Sequence, residues 1–494
     1  MTSITKRQWL AGAASVVGLT AASGAFAQSS AEAGGPFVTR HSGVFNGRKL
    51  NYTATVGATI LHDAAGTPTA RFVSTSYVRD KVDAARPVIF AFNGGPSSSS
   101  QTLHMMALGP KRPPVAQDPR TPEPTPSLID NTYSVLDAAD IVMVDPAETG
   151  FSRVLPGGKR EYFYSVEGDS QSVSDFVTAW CKANGREASP KYVLGESYGT
   201  LRAAFMAGQL AKTMPLDGVF IFGQAVNMIE TSQRAKNAVS YATNITALAA
   251  IAAYHGKAER SDRPMNQIID EAYAFGMDEY LQALVRGNDL PAAERQALAK
   301  KLQAITGISA EYYLANGLVI TKMAFQRELL KADGLMLGMY DARYVGPLPK
   351  PGERLPDPSF KPMAAIGPMM LEHYAKNLGV TWPASDYRSS APQTGGWTWA
   401  PTLGPGGPFY DFDYPSQITT AFEANPKFRL MVGTGIFDLT TTVGPARYLV
   451  TQSDYPRDRV IQRQYVGGHM AYTNEPTLKA FNDDVRTFVT GGRF

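Results

Sequence analysis

The stretch YVLGESYGT, residues 192–200, decides the fold of this chain. An apolar, strand-like run precedes a serine that has a glycine two positions away on each side, and a helical pattern follows from Gly199. This spacing forces a sharp turn from strand to helix and leaves the serine oxygen exposed at the carboxyl edge of a sheet. A glycine-bounded turn without chemistry is the alternative, and the flanking strand and helix favour Ser197 as a nucleophile.

Short apolar runs recur along the chain and alternate with helical patterns, as over 169–183 and 199–214. Mostly apolar strands of this length are typical of a parallel sheet covered by helices on both faces. The runs lie at 87–93, 139–144, 191–194, 216–222 and 427–432, with a more polar candidate nearer the sheet edge at 460–466. Alternating patterns over 49–55 and 70–78 predict antiparallel strands at the other edge. We predict an α/β fold with a mostly parallel central sheet.

The regular spacing of strands is interrupted between residues 222 and 427. Residues 228–345 carry Ala, Leu, Lys and Glu at helical spacing, which predicts an inserted helical cap. Residues 346–416 are rich in Pro, Gly and aromatic side chains, which favours a lid. The predicted organisation is a signal peptide over 1–27, a first part of the core over 28–225, a cap and lid over 226–425, and a second part of the core over 426–494.

Residues 1–27 have the features of an export signal. Lys6 and Arg7 precede a short apolar segment, and residues 25–27 supply the small side chains that a signal peptidase requires. The segment TKRQWL, residues 5–10, is similar to a twin-arginine signal with Lys in the first Arg position, so twin-arginine and general secretory export both stay open. We expect a periplasmic or secreted protein, with no membrane insertion after the signal is removed.

Composition excludes several classes of protein. The chain of 494 residues is 44% hydrophobic and 18% charged, which is typical of a globular protein. Its net charge of +3 includes two positive charges in the predicted signal, so nothing favours nucleic-acid binding.

The single cysteine, Cys181, cannot form an internal disulfide, and we expect it to be buried. No His or Cys cluster has ligand spacing, so we expect no metal and no cofactor. The oligomeric state is not indicated.

A serine nucleophile requires a base and an acid that orients the base. In the α/β-hydrolase fold the acid and then the histidine follow the serine along the chain. His469 is the candidate base, because it comes shortly after the late strand candidate, in GGHM at 467–470. Asp438 is the candidate acid, because it ends GTGIFD, residues 433–438, on the loop after a strand. An Asx turn is the alternative role for Asp438.

An oxyanion requires backbone N–H donors. The amide of Tyr198, directly after the nucleophile, is one candidate donor. The second is expected from the loop after the strand at 87–93, where NGGP, residues 93–96, contains paired glycines. Glycines let backbone N–H groups approach a substrate closely, although a simple turn would have the same sequence.

From about residue 87 to the end, these blocks resemble the serine carboxypeptidases, a family of α/β-hydrolases. The matching blocks, in order, are NGGPSSSS at 93–100, DPAETGFS at 145–152, GESYGT at 195–200, and the closing pair GTGIFD at 433–438 and GHM at 468–470. The absence of disulfides is similar to a bacterial branch of that family.

The resemblance implies a role for each of these residues. Ser197 attacks, His469 transfers the proton, and Asp438 orients the histidine. The remaining implied roles are oxyanion binding by the amides of Gly95 and Tyr198, and binding of the substrate's terminal carboxylate by the side chains of Asn93 and Glu196 with the Gly94 amide near it. Since Glu196 would face another carboxylate, it must be protonated or share a proton, and activity is expected in acid.

Some positions depart from the family pattern. Ala107 stands where the family has a Glu that assists carboxylate binding, and Ser97 and Ser98 replace a Gly and a Cys. The leading hypothesis is a serine-type carboxypeptidase that acts on peptides through an acyl-enzyme on Ser197. An esterase, amidase or acyltransferase on a small acyl substrate is the alternative, which Ala107 and the aromatic segment 397–410 support. A third hypothesis is an inactive binding protein, against which the intact Ser, Asp and His set argues.

Overall fold

The structure is a computed structural model that describes residues 35–81, 83–259, 261–392, 396–399 and 413–494. The predicted signal peptide lies outside the described residues, as do Phe409 and Tyr410 of the aromatic segment. Among the helices that the structure describes, none is both long enough and apolar enough to cross a membrane.

One large mixed sheet forms the centre of the described structure. Its main strands are β1 (Phe37–Phe45), β2 (Arg48–His62), β3 (Pro68–Arg79), β4 (Val88–Phe92), β5 (Asp140–Asp145), β6 (Lys191–Glu196), β7 (Gly218–Phe222), β8 (Arg429–Gly435) and β9 (Val460–Tyr465). The order across the sheet is β1-β2-β3-β5-β4-β6-β7-β8-β9, and the short strand Arg153–Val154 pairs with β3. The three pairs β1-β2, β2-β3 and β3-β5 are antiparallel. The remaining pairs, from β5-β4 to β8-β9, are parallel.

Each predicted apolar run forms a strand within three residues of its expected bounds. The two alternating runs form β2 and β3 of the antiparallel edge, and the more polar run forms β9 at the opposite edge. The predicted α/β-hydrolase fold is therefore confirmed, with a mostly parallel sheet between layers of helices.

Helices flank the sheet and fill the segment between β7 and β8. The longer ones are α1 (Val166–Ala183), α2 (Gly199–Leu210), α3 (Ala238–Tyr254), α4 (Met265–Phe275), α5 (Ala292–Thr306), α6 (Lys322–Glu328), α7 (Ile366–Glu372), α8 (Pro415–Ala424), α9 (Val443–Gln452) and α10 (Glu475–Val489). Shorter α-helices are Gln101–Leu103, Arg160–Phe163, Met228–Thr231, Leu281–Arg286 and Ala310–Ala315. Segments of 3₁₀ or π geometry are His104–Leu108, Val135–Asp137, Gly276–Tyr280, Gly287–Asp289, Lys331–Asp333, Pro358–Met363, His373–Asn377, Ala384–Asp386, Arg457–Arg459 and Ala471–Thr473.

The central strands are apolar throughout because both faces of the sheet are covered. In β4, Phe90 and Phe92 pack into one hydrophobic cluster with α1, α2, α8 and α9. Ile89 and Ala91 point to the other face and join a second cluster with α10. Since successive side chains of a strand alternate between faces, a strand covered on both sides has no polar face.

The helices inserted between β7 and β8 have a hydrophobic cluster of their own. Side chains from α3 to α6 pack together there with Ile436, Phe437 and Leu439, which lie on the loop after β8. A hairpin of Leu335–Leu337 with Val345–Pro347, which the sequence did not predict, belongs to this insertion. The insertion therefore packs directly on the loop that carries Asp438, while its division into cap and lid at residues 226–425 stays a prediction.

Candidate active site

The predicted nucleophile lies in a strained turn. Strand β6 ends at Glu196 and α2 begins at Gly199, and between them Ser197 has a φ of 59°, which non-glycine residues rarely adopt. The amide of Ser197 donates to the backbone oxygen of Phe222, at 2.9 Å. A Cβ on Gly195 would overlap the carbonyl oxygen of Gly199, so this turn requires the glycine before the serine.

The loop after β4 lies against this turn. A Cβ on Gly94 would overlap the backbone nitrogen atoms of Tyr198 and Gly199, and Gly95 has a φ of 108° that favours glycine. The predicted oxyanion residues Gly95 and Tyr198 thus belong to two backbone segments in direct contact. That contact brings the loop that carries Gly95 next to the turn that carries Ser197.

The predicted acid and base meet on neighbouring loops. Asp438 follows β8, His469 follows β9, and Nδ1 of His469 lies 2.7 Å from Oδ2 of Asp438. Both side chains are buried. The hydroxyls of Thr440 and Thr441 each donate to the Asp438 carboxylate at 2.6 Å, and the Thr440 amide also donates to it, at 2.6 Å. The carboxylate is therefore fixed in position and faces the histidine.

The ionised form of Asp438 and the protonated form of His469 stabilise each other. Burial raises the pKa of Asp438, but the charge and hydrogen bond of His469 outweigh it and the pKa is lowered overall. Burial lowers the pKa of His469, and the carboxylates of Asp438 and Glu196 outweigh that effect, so this pKa is raised. An ionised Asp438 fixes a proton on Nδ1 and leaves Nε2 to accept another.

His469 lies beside the backbone that holds the nucleophile turn. Phe222 accepts from the Ser197 amide, and a Cβ on the next residue, Gly223, would come within 3.2 Å of Nδ1 of His469. The His469 amide donates to the backbone oxygen of Tyr340, whose ring packs on the imidazole with centroids 5.5 Å apart. The structure thus brings Ser197, His469 and Asp438 to one end of the sheet.

A second hydrogen-bonded group surrounds Glu196. Nδ2 of Asn93 donates to Oε1 of Glu196 at 2.7 Å, and the hydroxyl of Tyr472 donates to Oε2. All three side chains are buried. Burial raises the pKa of Glu196 to about 7, against the opposing effects of the His469 charge and the two hydrogen bonds. A carboxyl group with that pKa is available in its neutral form near neutral pH.

Tyr472 and Arg202 belong to this site but were not predicted from the sequence. Tyr472 carries no motif signal, since it is one aromatic residue in an ordinary segment after His469. Arg202 on α2 is fully buried, and it donates to the Asp169 carboxylate and to the backbone oxygen of Asn93. Tyr198 also donates to Asp169, at 3.0 Å. An arginine in an apolar helical pattern is a signal for a buried ion pair, but its partner could not be identified.

The structure shows the contacts of Ala107 and of the aromatic segment, the two features that support the alternative hypothesis. Ala107 is buried, and its backbone oxygen accepts from the side-chain amides of Asn131 and Asn482. Because it is an alanine, it offers no carboxyl group to Glu196. In the described part of the aromatic segment, the rings of Trp397 and Trp399 pack on Tyr198, with centroids 5.2 and 5.7 Å apart.

The described residues contain no group of three or more His, Cys, Asp or Glu side chains that could hold a metal ion. Cys181 is buried, as expected, on α1. Burial raises the pKa of its thiol to about 11, so the thiol stays protonated at neutral pH.

The model of the serine carboxypeptidase family matches residues 75–272, a range that includes Asn93, Glu196 and Ser197 but ends before Asp438 and His469. No curated protein sequence matches the chain.

The solved structures that are similar to it include two peptidases. One is Kex1(delta)p, a prohormone-processing carboxypeptidase from Saccharomyces cerevisiae, with 13% identity, coverage of 89% of this chain and 92% of that chain, and a TM-score of 0.47. The other is proline iminopeptidase from Mycobacterium smegmatis, with 13% identity, coverage of 88% and 98%, and a TM-score of 0.39. The family match over residues 75–272 confirms the resemblance predicted from the sequence, and it supports a hydrolase of the serine carboxypeptidase type.

Proposed function

We propose that this chain is a serine carboxypeptidase that releases C-terminal residues from peptides through an acyl-enzyme on Ser197. The observation that supports this most directly is the buried carboxyl group of Glu196, next to the nucleophile and bound by Asn93. A neutral carboxylic acid can donate a hydrogen bond to a substrate carboxylate, which gives an acidic side chain a use at this position.

The chemistry follows from the geometry of the three proposed catalytic residues. The hydroxyl oxygen of Ser197 attacks the carbonyl carbon of the last peptide bond as its proton moves to Nε2 of His469. The C–N bond then breaks, and that proton passes to the leaving amine. Water attacks the resulting ester, gives a proton to His469, and releases the shortened peptide as Ser197 recovers its proton.

Asp438 and the backbone donors assist both steps. The ionised carboxylate of Asp438 stabilises the imidazolium that forms at His469. The amides of Gly95 and Tyr198 would donate to the negative oxygen of the tetrahedral intermediate. Asn93 and Glu196, with the Gly94 amide near them, would hold the terminal carboxylate so that the last peptide bond meets Ser197.

Paired substrates test this proposal. N-blocked dipeptides are assayed with a free C-terminal carboxylate and with the same terminus amidated. A carboxypeptidase should prefer the free acid in kcat/KM by about 10- to 100-fold, the value of one hydrogen bond to a charged group. Equal rates on the two substrates would rule out recognition of a free terminus. Ser197→Ala should abolish turnover of both, with an unchanged circular dichroism spectrum.

A second candidate is an esterase, amidase or acyltransferase that uses the same residues on a small acyl substrate. Two observations favour it: Ala107 supplies no carboxyl group, and Trp397 and Trp399 place aromatic surface against Tyr198. This candidate predicts faster turnover of uncharged aryl esters than of any free-acid dipeptide.

Covalent labelling distinguishes an inactive binding protein from the two enzyme candidates. A fluorophosphonate probe should modify the wild type at Ser197 and leave Ser197→Ala unlabelled. Absence of labelling in the wild type would exclude a serine hydrolase mechanism.

We also propose that the protein is exported. Lys6 and Arg7, the apolar segment after them and the small residues at 25–27 support this location. Cell fractionation and N-terminal sequencing of the mature protein test it, and the expected first residue is Gln28. Retention of residues 1–27 in cytoplasmic protein would contradict export.

A further inference from the structure

Tyr472 joins the site through one hydrogen bond that its surroundings fix. The residue is fully buried in the segment Ala471–Thr473, three positions after His469. Its ring packs against Phe222 and Phe481, with centroids 6.0 and 5.5 Å apart. Because the ring is held on these sides, its hydroxyl has a fixed direction, and it donates to Oε2 of Glu196.

The Glu196 carboxyl group therefore has a donor on each oxygen. Asn93 donates to Oε1 and Tyr472 donates to Oε2, and both donors are neutral. The charged groups that act on Glu196 come from the neighbouring loops: His469 favours its ionised form and Asp438 opposes it. Burial beside Glu196 raises the pKa of the Tyr472 phenol well above its ordinary value, so this phenol stays protonated and able to donate near neutral pH.

We propose that Tyr472 is a positioning residue for Glu196 and that its hydroxyl sets the pH at which the enzyme loses its preference for substrates with a free C-terminal carboxylate. This inference rests on the proposed function. A phenol differs from a second carboxyl group in this place because it cannot exchange a proton with Glu196 near neutral pH. Glu196 therefore has no second carboxyl group with which to share its proton, since Ala107 stands at the predicted partner position.

The direction of the effect follows from which form each donor stabilises. Neutral Glu196 donates its proton to the substrate carboxylate, whereas ionised Glu196 repels it, so kcat/KM for free-acid substrates falls as pH rises through the pKa of Glu196. The Tyr472 hydroxyl stabilises the ionised form. Tyr472→Phe removes that donor, raises the pKa of Glu196, and moves the fall in kcat/KM to higher pH by about one unit.

Tyr465 on β9 offers a matched control. Its ring also packs on Phe222 and Phe481, and its hydroxyl also donates to a carboxylate, that of Asp484 at 2.9 Å. Tyr465→Phe therefore removes the same kind of bond from the same aromatic cluster without altering a donor to Glu196. The fall in kcat/KM should stay at the wild-type pH in this variant.

The experiment measures kcat/KM against pH for free-acid and amidated dipeptides with wild type, Tyr472→Phe and Tyr465→Phe. An upward shift of the high-pH limb in Tyr472→Phe alone, for the free acid, supports the proposal. A limb at the wild-type pH in Tyr472→Phe, or an equal shift in both variants, overturns it. If Tyr472→Phe does not fold, Tyr472→Met is used and the same upward shift is expected.

A second measurement does not depend on activity. Infrared difference spectra against pH follow the protonated carboxyl band of Glu196, which is assigned by its loss in Glu196→Gln. The midpoint of this band should rise by about one pH unit in Tyr472→Phe. An unchanged midpoint overturns the role of Tyr472 whatever the substrate. Lack of free-acid preference in the wild type with a shifted midpoint would instead refute only the carboxypeptidase function.

Discussion

Nη1 of Arg202 donates to the backbone oxygen of Asn93 at 2.9 Å, and this bond joins the helix after Ser197 to the loop after β4. The same guanidinium makes two bonds to the buried carboxylate of Asp169, at 2.8 and 3.2 Å. Its Cζ atom lies over the ring of Phe92, 4.8 Å from the ring centroid. One arginine therefore fixes the relative positions of the two backbone segments that would bind the oxyanion.

Arg202→Met should destabilise the protein by about 3–5 kcal/mol, because Asp169 would remain buried without its partner. Urea unfolding followed by circular dichroism measures the free energy of unfolding. Arg286→Met is the control, since Arg286 forms a half-exposed pair with Glu294 that contributes less than about 1 kcal/mol. Similar losses in the two variants would contradict a special role for Arg202.

Asp438→Asn should lower kcat/KM by about 1,000- to 10,000-fold with the fold retained. An amide in this place no longer requires a proton on Nδ1 of His469, so the imidazole can adopt the tautomer that cannot act as a base. Steady-state kinetics measure the loss. Asp484→Asn, at the Tyr465 hydrogen bond, is the control with near-normal activity, and a loss below tenfold in Asp438→Asn would refute the assigned acid.

Lys322→Met should move the low-pH limb of kcat/KM upward by roughly half a unit. Nζ of Lys322 donates to the backbone oxygens of Thr231 and Thr440, both at 2.7 Å, and its charge lowers the pKa of His469. Without that charge the pKa of His469 rises, and the neutral base is available only at higher pH.

Lys322→Arg keeps the positive charge and should keep the limb near its wild-type position. The measurement is kcat/KM against pH for an amidated or ester substrate. Such a substrate has no terminal carboxylate, so its binding does not require neutral Glu196. A downward shift of the limb in Lys322→Met would contradict the electrostatic argument.

Glu196→Gln should stabilise the protein above pH 7. Because the pKa of Glu196 is raised from 4.5 to about 7 in the folded state, its contribution to stability is complete below pH 4.5 and is lost as pH rises to 7. Glutamine avoids the buried charge, so the variant should exceed the wild type by about 3 kcal/mol at pH 8. Unfolding free energies at pH 4.5 and 8 measure this, and an equal difference at both pH values would refute it.

Much of the fold was predictable, because strands covered on both faces are continuous apolar runs and β4 to β8 have that pattern. The order of strands was not, since periodicity identifies an element without its neighbours. The position of β4 between β5 and β6 comes from how the connecting segments cross the sheet.

The proposed triad was predictable from chain order and loop position, which the fold itself imposes on Ser197, Asp438 and His469. Tyr472 and Lys322 were not predictable in the same way. Each forms a hydrogen bond with a residue far away in sequence. Tyr472 and Glu196 are 276 residues apart, and Lys322 and Thr440 are 118 residues apart. A buried polar contact of this kind leaves no local pattern.

The contact from Lys322 to Thr440 also bears on enzyme engineering. The helical insertion is an obvious target for exchange between homologues, because the strands on its two sides, β7 and β8, pair directly. Lys322 lies in the exchanged segment, however, while Asp438 and His469 lie outside it. A chimaera with a foreign insertion would therefore have a different pH optimum, unless the donor segment restores a cation at this point.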